Sequence, residues 1–227
     1  IPAGTTNVLA RILGIPKKPR AAAQAATEYS PVPTDMVRVE ADTAFGHITR
    51  FATFSLGIGF DADVVSVAET RPFAKSRFGG VHYATTAVTR LLTNWRTEYP
   101  NLRIDCDGDR FDAVVALTQV HNPYTYFGKV PLHLAPDPPE GIATLAANSL
   151  SVVRATEIFG RAVLRRRHRE ATGIRLWSGY DLLALDAEPA APFQADGELL
   201  GDASRLEVFP APDAVLVLRP DPADHPE

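Results

Sequence analysis

The stretch from Asn101 to Val120, NLRIDCDGDRFDAVVALTQV, reads as two β-strands folded about the turn Asp107-Gly108-Asp109. Apolar and β-branched residues flank an Asp-Gly pair, the dipeptide that most readily takes the positive φ values of a tight hairpin turn. The same kind of strand recurs downstream, at Ile142 to Ala147, Ile174 to Leu185, Phe193 to Ala195, Arg205 to Phe209 and Ala214 to Leu218. Upstream, MVRVEAD from Met36 and HITRFATFSLGIGF from His47 form an expected hairpin pair. Many short strands with regular turns predict a sandwich or barrel-like β domain rather than a parallel sheet.

Helices punctuate this pattern. Val8, Leu9, Ile12, Leu13 and Ile15 fall at helical spacing, stopped by Gly14 and Pro16. An Ala-rich helix is expected over Pro19 to Tyr29, ended by the proline-bearing turn SPVPTD. Further helices are expected over Ala62 to Thr70, with Asp61 as N-cap acceptor, over Gly79 to Trp95, and over Ser151 to Arg167. The fold class that follows is α+β: a mainly antiparallel β-sandwich domain with several helices, from residue 36 to 220. A helical, loop-like segment, 1–35, precedes it, and a proline-rich tail, 221–227, follows. There is no internal repeat.

The chain has 227 residues, 45% apolar and 22% charged, a globular composition with ample material for a core. No apolar run reaches the roughly 18 to 20 residues of a spanning helix, and Ile1 to Arg20 lacks the features of a secretory signal. A cytoplasmic location is expected. A single cysteine, Cys106, excludes an internal disulfide and a cysteine-based zinc site. The net charge of -4 supplies no global attraction for nucleic acid. His47, His82, His121, His133 and His225 contain no i, i+4 pair, and no Gly-x-Ser-x-Gly elbow marks a serine hydrolase.

Three stretches carry candidate chemistry. In IPAGTTNVLARILGIP, from Ile1, Gly4 permits close backbone approach, Thr5, Thr6 and Asn7 offer hydroxyl and amide contacts, and the helix entrance offers N-H groups to phosphate. The same turn reads equally as an ordinary helix entry. In FQADGELLG, from Phe193, Asp196 and Glu198 flank Gly197, where a carboxylate projecting into a cleft would take a proton from a substrate hydroxyl. A plain Asp-Gly hairpin with solvated acids is the other reading. In SLGIGFDADVV, from Ser55, the glycines permit close packing, but a Gly-x-Gly without a third glycine or a βαβ frame excludes a dinucleotide fingerprint.

In their order along the chain, PAGTTNVLARILGIP, GIGFDADVV, KSRFGGVHYATTAV, HNPYTYFG, LAPDPPEGIATL and FQADGELLG resemble the landmarks of the diacylglycerol kinase catalytic family, which includes soluble bacterial lipid kinases and the sphingosine kinases. The resemblance runs from Ile1 to about Pro220. It implies a two-domain enzyme in which a nucleotide-binding α/β domain precedes a β-sandwich, with ATP, Mg2+ and lipid in the cleft between. Residues 1–35 would be the end of that first domain, and the family's Gly-Gly-Asp-Gly-Thr loop would lie upstream of Ile1. On that reading the 227-residue chain alone is expected to be inactive.

The resemblance also implies roles. Gly4, Thr5 and Asn7 match the family's Gly-Thr-x-Asn turn beside the nucleotide, although Val8 stands where many members have aspartate. Glu198 matches the glutamate of the Asp-Gly-Glu motif and is the implied general base, with Asp196 shaping the turn or orienting a neighbour. Asp137 and Glu140 correspond to an acidic stretch that holds structural Mg2+ in many members, yet two acids split by two prolines supply few of the oxygens an octahedral ion takes.

The reading that follows is a kinase acting on a diacylglycerol-like or sphingoid lipid at a membrane surface, from the cytoplasmic side. A non-catalytic lipid-binding or regulatory module is the rival. A NAD kinase shares the two-domain logic but needs a different acceptor pocket. RAVLRRRHRE, from Arg161, is either a lipid-headgroup contact or a solvated helix end. Phe51, Phe54, Leu117 and Val120 would line an apolar acceptor tunnel, or a plain core.

Overall fold

The computed structural model describes residues 1–3, 7–69, 89, 101–127, 129–135, 141–163 and 172–220. In chain order its elements are α1 (Val8–Ile12), α2 (Pro19–Ala25), β1 (Ser30–Thr43), β2 (Gly46–Ala52), β3 (Ser55–Gly59), α3 (Phe60–Glu69), β4 (Leu102–Cys106), β5 (Asp109–Ala113), β6 (Val115–Gln119), β7 (Thr125–Phe127), β8 (Val130–Leu132), β9 (Ala143–Ala147), α4 (Val152–Val163), β10 (Ile174–Ser178), β11 (Leu183–Ala195) and β12 (Glu198–Arg219). The predicted antiparallel, β-dominated fold is therefore observed. Before Ser30 the described residues form two short helices and no strand, so they do not display an α/β domain.

Strand β11 is where the sheet branches. Its first part, Leu183 to Ala187, pairs with β4, which pairs in turn with β5. Its last residues, Phe193 to Ala195, pair with β3, and the sheet continues through β6 and β9 to β10. On its other edge lies β12, followed by β1 and β2. The ladder between β11 and β12 slips register between Asp186 and Ala191. A strand irregular at that point can bend from one layer into another, which is how a single folded sheet supplies both layers of a sandwich.

Two apolar clusters follow from this arrangement. Val37 and Val39 of β1, Leu56 and Ile58 of β3, Leu102 and Ile104 of β4, Ala116 of β6, Ala146 of β9 and Leu183 and Leu185 of β11 meet inside the folded sheet. On the far side of β6, β9 and β10, Val115, Ala143, Leu145, Ala147, Ile174 and Leu176 pack with Phe60 and Val64 of α3 and with Ile158 of α4. Strands β3 and β9 are covered on both faces, and all of their residues are buried. That is why SLGIG and ATLAA lack the alternation of half-exposed strands such as LRIDC. On that exposed outer face, β4, β5, β11, β12 and β1 carry ion pairs such as Arg110 with Asp105, Arg205 with Asp186 and Glu207, and Arg38 with Glu40. Solvent-exposed pairs of this kind contribute about 0 to 1 kcal/mol each.

Several boundaries differ from expectation. HITRFATFSLGIGF is two strands, because the chain turns a corner at Thr53 and Phe54. SPVPTD begins β1 instead of a turn, since Pro31 and Pro33 lie beyond the segment that pairs with β2 and need donate no N-H on that edge. Ile174 to Leu185 is broken after Ser178, while the strands expected separately at Arg205 and Ala214 are one long β12. Asp61 does not cap α3; it lies within its first turn. The helix expected over Gly79 to Trp95, residue 89 apart, most of the basic stretch after Arg161 and the tail from Asp221 lie outside the described residues.

The hairpin between β4 and β5 turns on Asp107 and Gly108, both at positive φ, as the dipeptide predicts. Cys106 at its base is buried, and burial followed by the charges of Asp107, Asp109 and Asp105 pushes its thiol up to about 11, which makes it an inert core residue.

Close packing of α3 against β3 depends on Gly57. A Cβ there would lie 1.9 Å from Asp61 Oδ2 and 2.6 Å from Gln194 Nε2. Gly57→Ala is expected to destabilise the fold by more than about 2 kcal/mol, read as a lowered urea midpoint with unchanged slope.

Candidate functional site

The residues of FQADGELLG join β11 to β12. Asp196 and Gly197 both take positive φ, 54° and 83°, so the two-residue turn expected of Asp-Gly is formed. Ala195 pairs with Glu198 across it. The Asp196 carboxylate is only partly exposed. It accepts from the backbone N-H of Thr53 at 2.8 Å, the Thr53 hydroxyl at 2.7 Å, and the N-H groups of Phe54 and Ser55 at 2.9 and 3.1 Å. The Asp196 N-H donates back to the Ser55 carbonyl at 2.9 Å. Asp196 thus fastens the turn to the corner between β2 and β3. Its role is to hold, and its oxygens are committed.

Gly197 is held separately. Its N-H donates at 2.7 Å to Oε1 of Gln194, whose Nε2 donates at 2.8 Å to Oδ2 of Asp61. Asp61 also shares a hydrogen bond with Tyr124. Burial pushes the Asp61 carboxyl above its ordinary value, against the hydrogen bonds from Gln194 and Tyr124 that favour its charge. Burial, then the neighbouring Asp61, pushes the Tyr124 phenol well up. Three stretches distant in the chain, GIGFD, HNPYTYFG and FQADG, meet in this network.

Glu198 differs from both. It is exposed at the first position of β12, and its carboxylate makes no side-chain hydrogen bond or ion pair among the described residues. The turn beneath it is tied at two points, while its own oxygens remain open to solvent.

The loop that supplies Tyr124 reaches the other candidate elements. His121 lies within electrostatic reach of Asp35, Arg219 and Asp196, and burial lowers its pKa so that the neutral ring is favoured. His133 Nδ1 meets Asn122 Oδ1 at 2.6 Å, and the Leu134 N-H donates to the buried Gln119 side chain at 3.0 Å. The Arg11 guanidinium of α1 lies 3.4 Å from the Tyr126 ring centroid. Asn7 precedes α1 at φ 47° and makes no capping hydrogen bond with its side chain. The last turn of α1 and the loop are therefore joined through Arg11 and Tyr126, and the loop is joined to the turn through Tyr124.

Gly4, Thr5, Asp137 and Glu140 lie outside the described residues. Among the described residues no three histidine, cysteine, aspartate or glutamate side chains form a group suited to a metal ion. The expected tunnel set does not share one face. Val120 belongs to the inner cluster, Leu117 packs against the helix-covered one, and Phe51 is 50% exposed on the outer surface. Leu117 and Val120, three residues apart, fall on opposite faces by strand alternation, and Phe51 lies before the corner at Thr53.

Gln194 and Tyr124 were not singled out from the sequence. The available signal was a glutamine between two apolar residues, Phe193 and Ala195, at the end of β11 where three successive residues are buried. A polar side chain in such a place needs partners.

No protein-family model and no curated protein matches the sequence. The fold does match solved structures. Three from Bacillus anthracis strain Sterne, each designated a diacylglycerol kinase and two of them provisionally, align over 98 to 99% of this chain. The first aligns with a TM-score of 0.67 at 18% identity over 69% of its own length. The second and third give 0.61 and 0.64 at 15% and 17% identity, over 66% and 69% of theirs. The chain has their fold over about two thirds of their length.

Two outcomes follow from the site's chemistry. Asp196→Ala strips the acceptor from three backbone N-H groups and is expected to destabilise by roughly 2 to 4 kcal/mol, measured by denaturant unfolding. Asp61 has a pKa raised above its unfolded value, so its contribution is most favourable below the ordinary carboxylate pKa and is lost as pH rises through the raised value. The stability of Asp61→Asn relative to the parent is therefore expected to improve as pH rises above the ordinary carboxylate range, followed by thermal unfolding at stepwise pH.

Proposed function

We propose that this chain is the acceptor-side part of a lipid kinase that moves the γ-phosphoryl group of ATP to the hydroxyl of a diacylglycerol-like lipid. The observation that carries the reading is Glu198: an open carboxylate on a turn anchored at Asp196 and Gly197, in a chain with the fold of proteins designated diacylglycerol kinases. A general base needs both properties, free oxygens and a fixed support, so that its approach to the hydroxyl is set before substrate arrives.

In this reading Glu198 takes the proton of the lipid hydroxyl as that oxygen forms its bond to phosphorus. Asp196 keeps the turn against the β2–β3 corner and takes no proton. ATP supplies the phosphoryl group, and Gly4, Thr5 and Asn7 are the proposed nucleotide contacts. Mg2+ accompanies phosphoryl transfer from ATP as a rule, with Asp137 and Glu140 the acids the family resemblance offers. Among the described residues no group of acids suited to a metal ion is found, and Asp137 and Glu140 lie outside them. The substrate is a lipid, so the site is proposed to work at the cytoplasmic face of a membrane as a peripheral contact. No described helix is long and apolar enough to cross one.

The test is phosphorylation of a lipid panel, diacylglycerol and sphingoid bases included, by the full-length protein with ATP and Mg2+. Glu198→Gln, which keeps the shape and removes the basicity, is expected to lower turnover by about 10²- to 10⁴-fold with no change in melting temperature. Equal turnover in parent and variant removes Glu198 as the base. A folded protein that binds lipid and ATP and phosphorylates nothing favours the binding-module reading.

A further inference from the structure

Two Asp-Gly hairpin turns in this molecule form the same conformation and receive the same local bond by different means. At Asp107-Gly108, the Gly108 N-H donates to the carboxylate of Asp105, three residues back and exposed, at 3.0 Å. At Asp196-Gly197, the Gly197 N-H donates to the amide oxygen of Gln194, also three residues back but only 2% exposed. The first turn shows that a short exposed acid is enough. The second spends a buried glutamine, and the glutamine's own nitrogen then needs an acceptor.

Asp61 is that acceptor, and its presence carries a penalty. A carboxyl group drawn partly out of water beside a buried amide is costly unless the polar atoms around it are paired. Tyr124 pairs with it, and Gly57 leaves the space it occupies. Formation of the turn explains none of this outlay, since the Asp196 grip on the corner and the exposed solution at Asp105 would suffice.

The polarity of the arrangement shows what it selects. An amide side chain has nearly the same shape either way round, but Gly197 presents a donor and so requires the oxygen of Gln194. The nitrogen must then face an oxygen on the other side, and Asp61 Oδ2 lies there at 2.8 Å. Asp61 thereby allows one orientation of Gln194, and Gln194 fixes the N-H of Gly197, the residue immediately before Glu198. Asp196 pins one residue of the turn and Gln194 pins the other.

We propose that Gln194, oriented by Asp61 and Tyr124, is the positioning residue for the Glu198 carboxylate. The proposal rests on the reading of Glu198 as the base of a lipid kinase. Gln194 touches no substrate in this scheme; it limits the directions in which Glu198 can meet the lipid hydroxyl.

The experiment is a double-mutant cycle on the full-length protein, using ATP and whichever lipid of the panel the parent phosphorylates. Gln194→Met removes the amide, Tyr124→Phe removes only the hydroxyl behind Asp61, and each is made in the parent and in Glu198→Gln. Asp105→Asn, at the other Asp-Gly turn, is the control. In the parent background we expect Gln194→Met to lower kcat by at least about 10-fold and Tyr124→Phe by about 3- to 10-fold, with KM for lipid and ATP within about twofold. In the Glu198→Gln background we expect neither to lower the residual rate further, because a residue that acts only through Glu198 has nothing left to position. Asp105→Asn is expected to leave kcat unchanged in both.

If Gln194→Met does not fold, Tyr124→Phe decides by the same comparison. Equal fold-losses in both backgrounds would make the network structural and overturn the proposal while leaving Glu198 as the base. Turnover unaffected by Glu198→Gln would overturn the role of Glu198 and this proposal together, and the kinase reading would survive. A parent with no turnover on any lipid would overturn all three.

Discussion

The Asp196 carboxylate holds the corner between β2 and β3 by accepting four hydrogen bonds, three from consecutive backbone N-H groups. A chain that turns out of one strand and into the next leaves such groups without ladder partners, and a partly buried corner cannot leave them bare. The carboxylate supplies acceptors at one point and ties together segments more than a hundred residues apart. Strand β3 starts from that corner, α3 follows β3, and Asp61 reaches the network from the first turn of α3. The direction of β3, the seat of α3 and the place of the β11–β12 turn all depend on this contact.

The folded sheet accounts for where the site can be. Strands β3, β6 and β9 are covered on both sides, so polar groups there survive only in satisfied sets, such as the Thr118, Thr144 and Tyr180 hydroxyls, linked at 2.8 and 2.7 Å. The outer face of the other half is solvated and carries ion pairs that add little. Between them, at the end of β11 where the sheet changes layers, buried groups and solvent meet within a few residues. Gln194 is inside, Asp196 is partly inside and Glu198 is outside. A proton acceptor with a rigid base and free oxygens belongs at such a margin.

The identity of the elements was readable from local pattern. Alternation, Asp-Gly pairs and the glycine-proline stop after α1 are short-range signals, and the strands and hairpin at Asp107 follow from them. Strand ends were harder. Pro31 and Pro33 signal a turn to any local reading, yet they sit in β1 because one edge of that segment is open. HITRFATFSLGIGF looks continuous, yet it breaks where a carboxylate from the far end of the chain demands a corner. Neither fact lies within the reach of neighbouring residues.

The candidate site shows the same division. Sequence by itself determined that Asp196 and Gly197 form a hairpin turn, that Glu198 follows it, and that the apolar residues around them are strand residues, since turn chemistry and periodicity are properties of a few adjacent residues. The two Asp-Gly turns carry the same local signal and have different fates, one exposed and one clamped. Only the tertiary structure decided that Asp196 is a strut, that Gln194 and Tyr124 converge on a half-buried Asp61, and that Phe51, Leu117 and Val120 do not share one face. The reason is physical: desolvation and hydrogen-bond satisfaction depend on which distant segments exclude water from a group, and that is set by how the sheet folds across its layers.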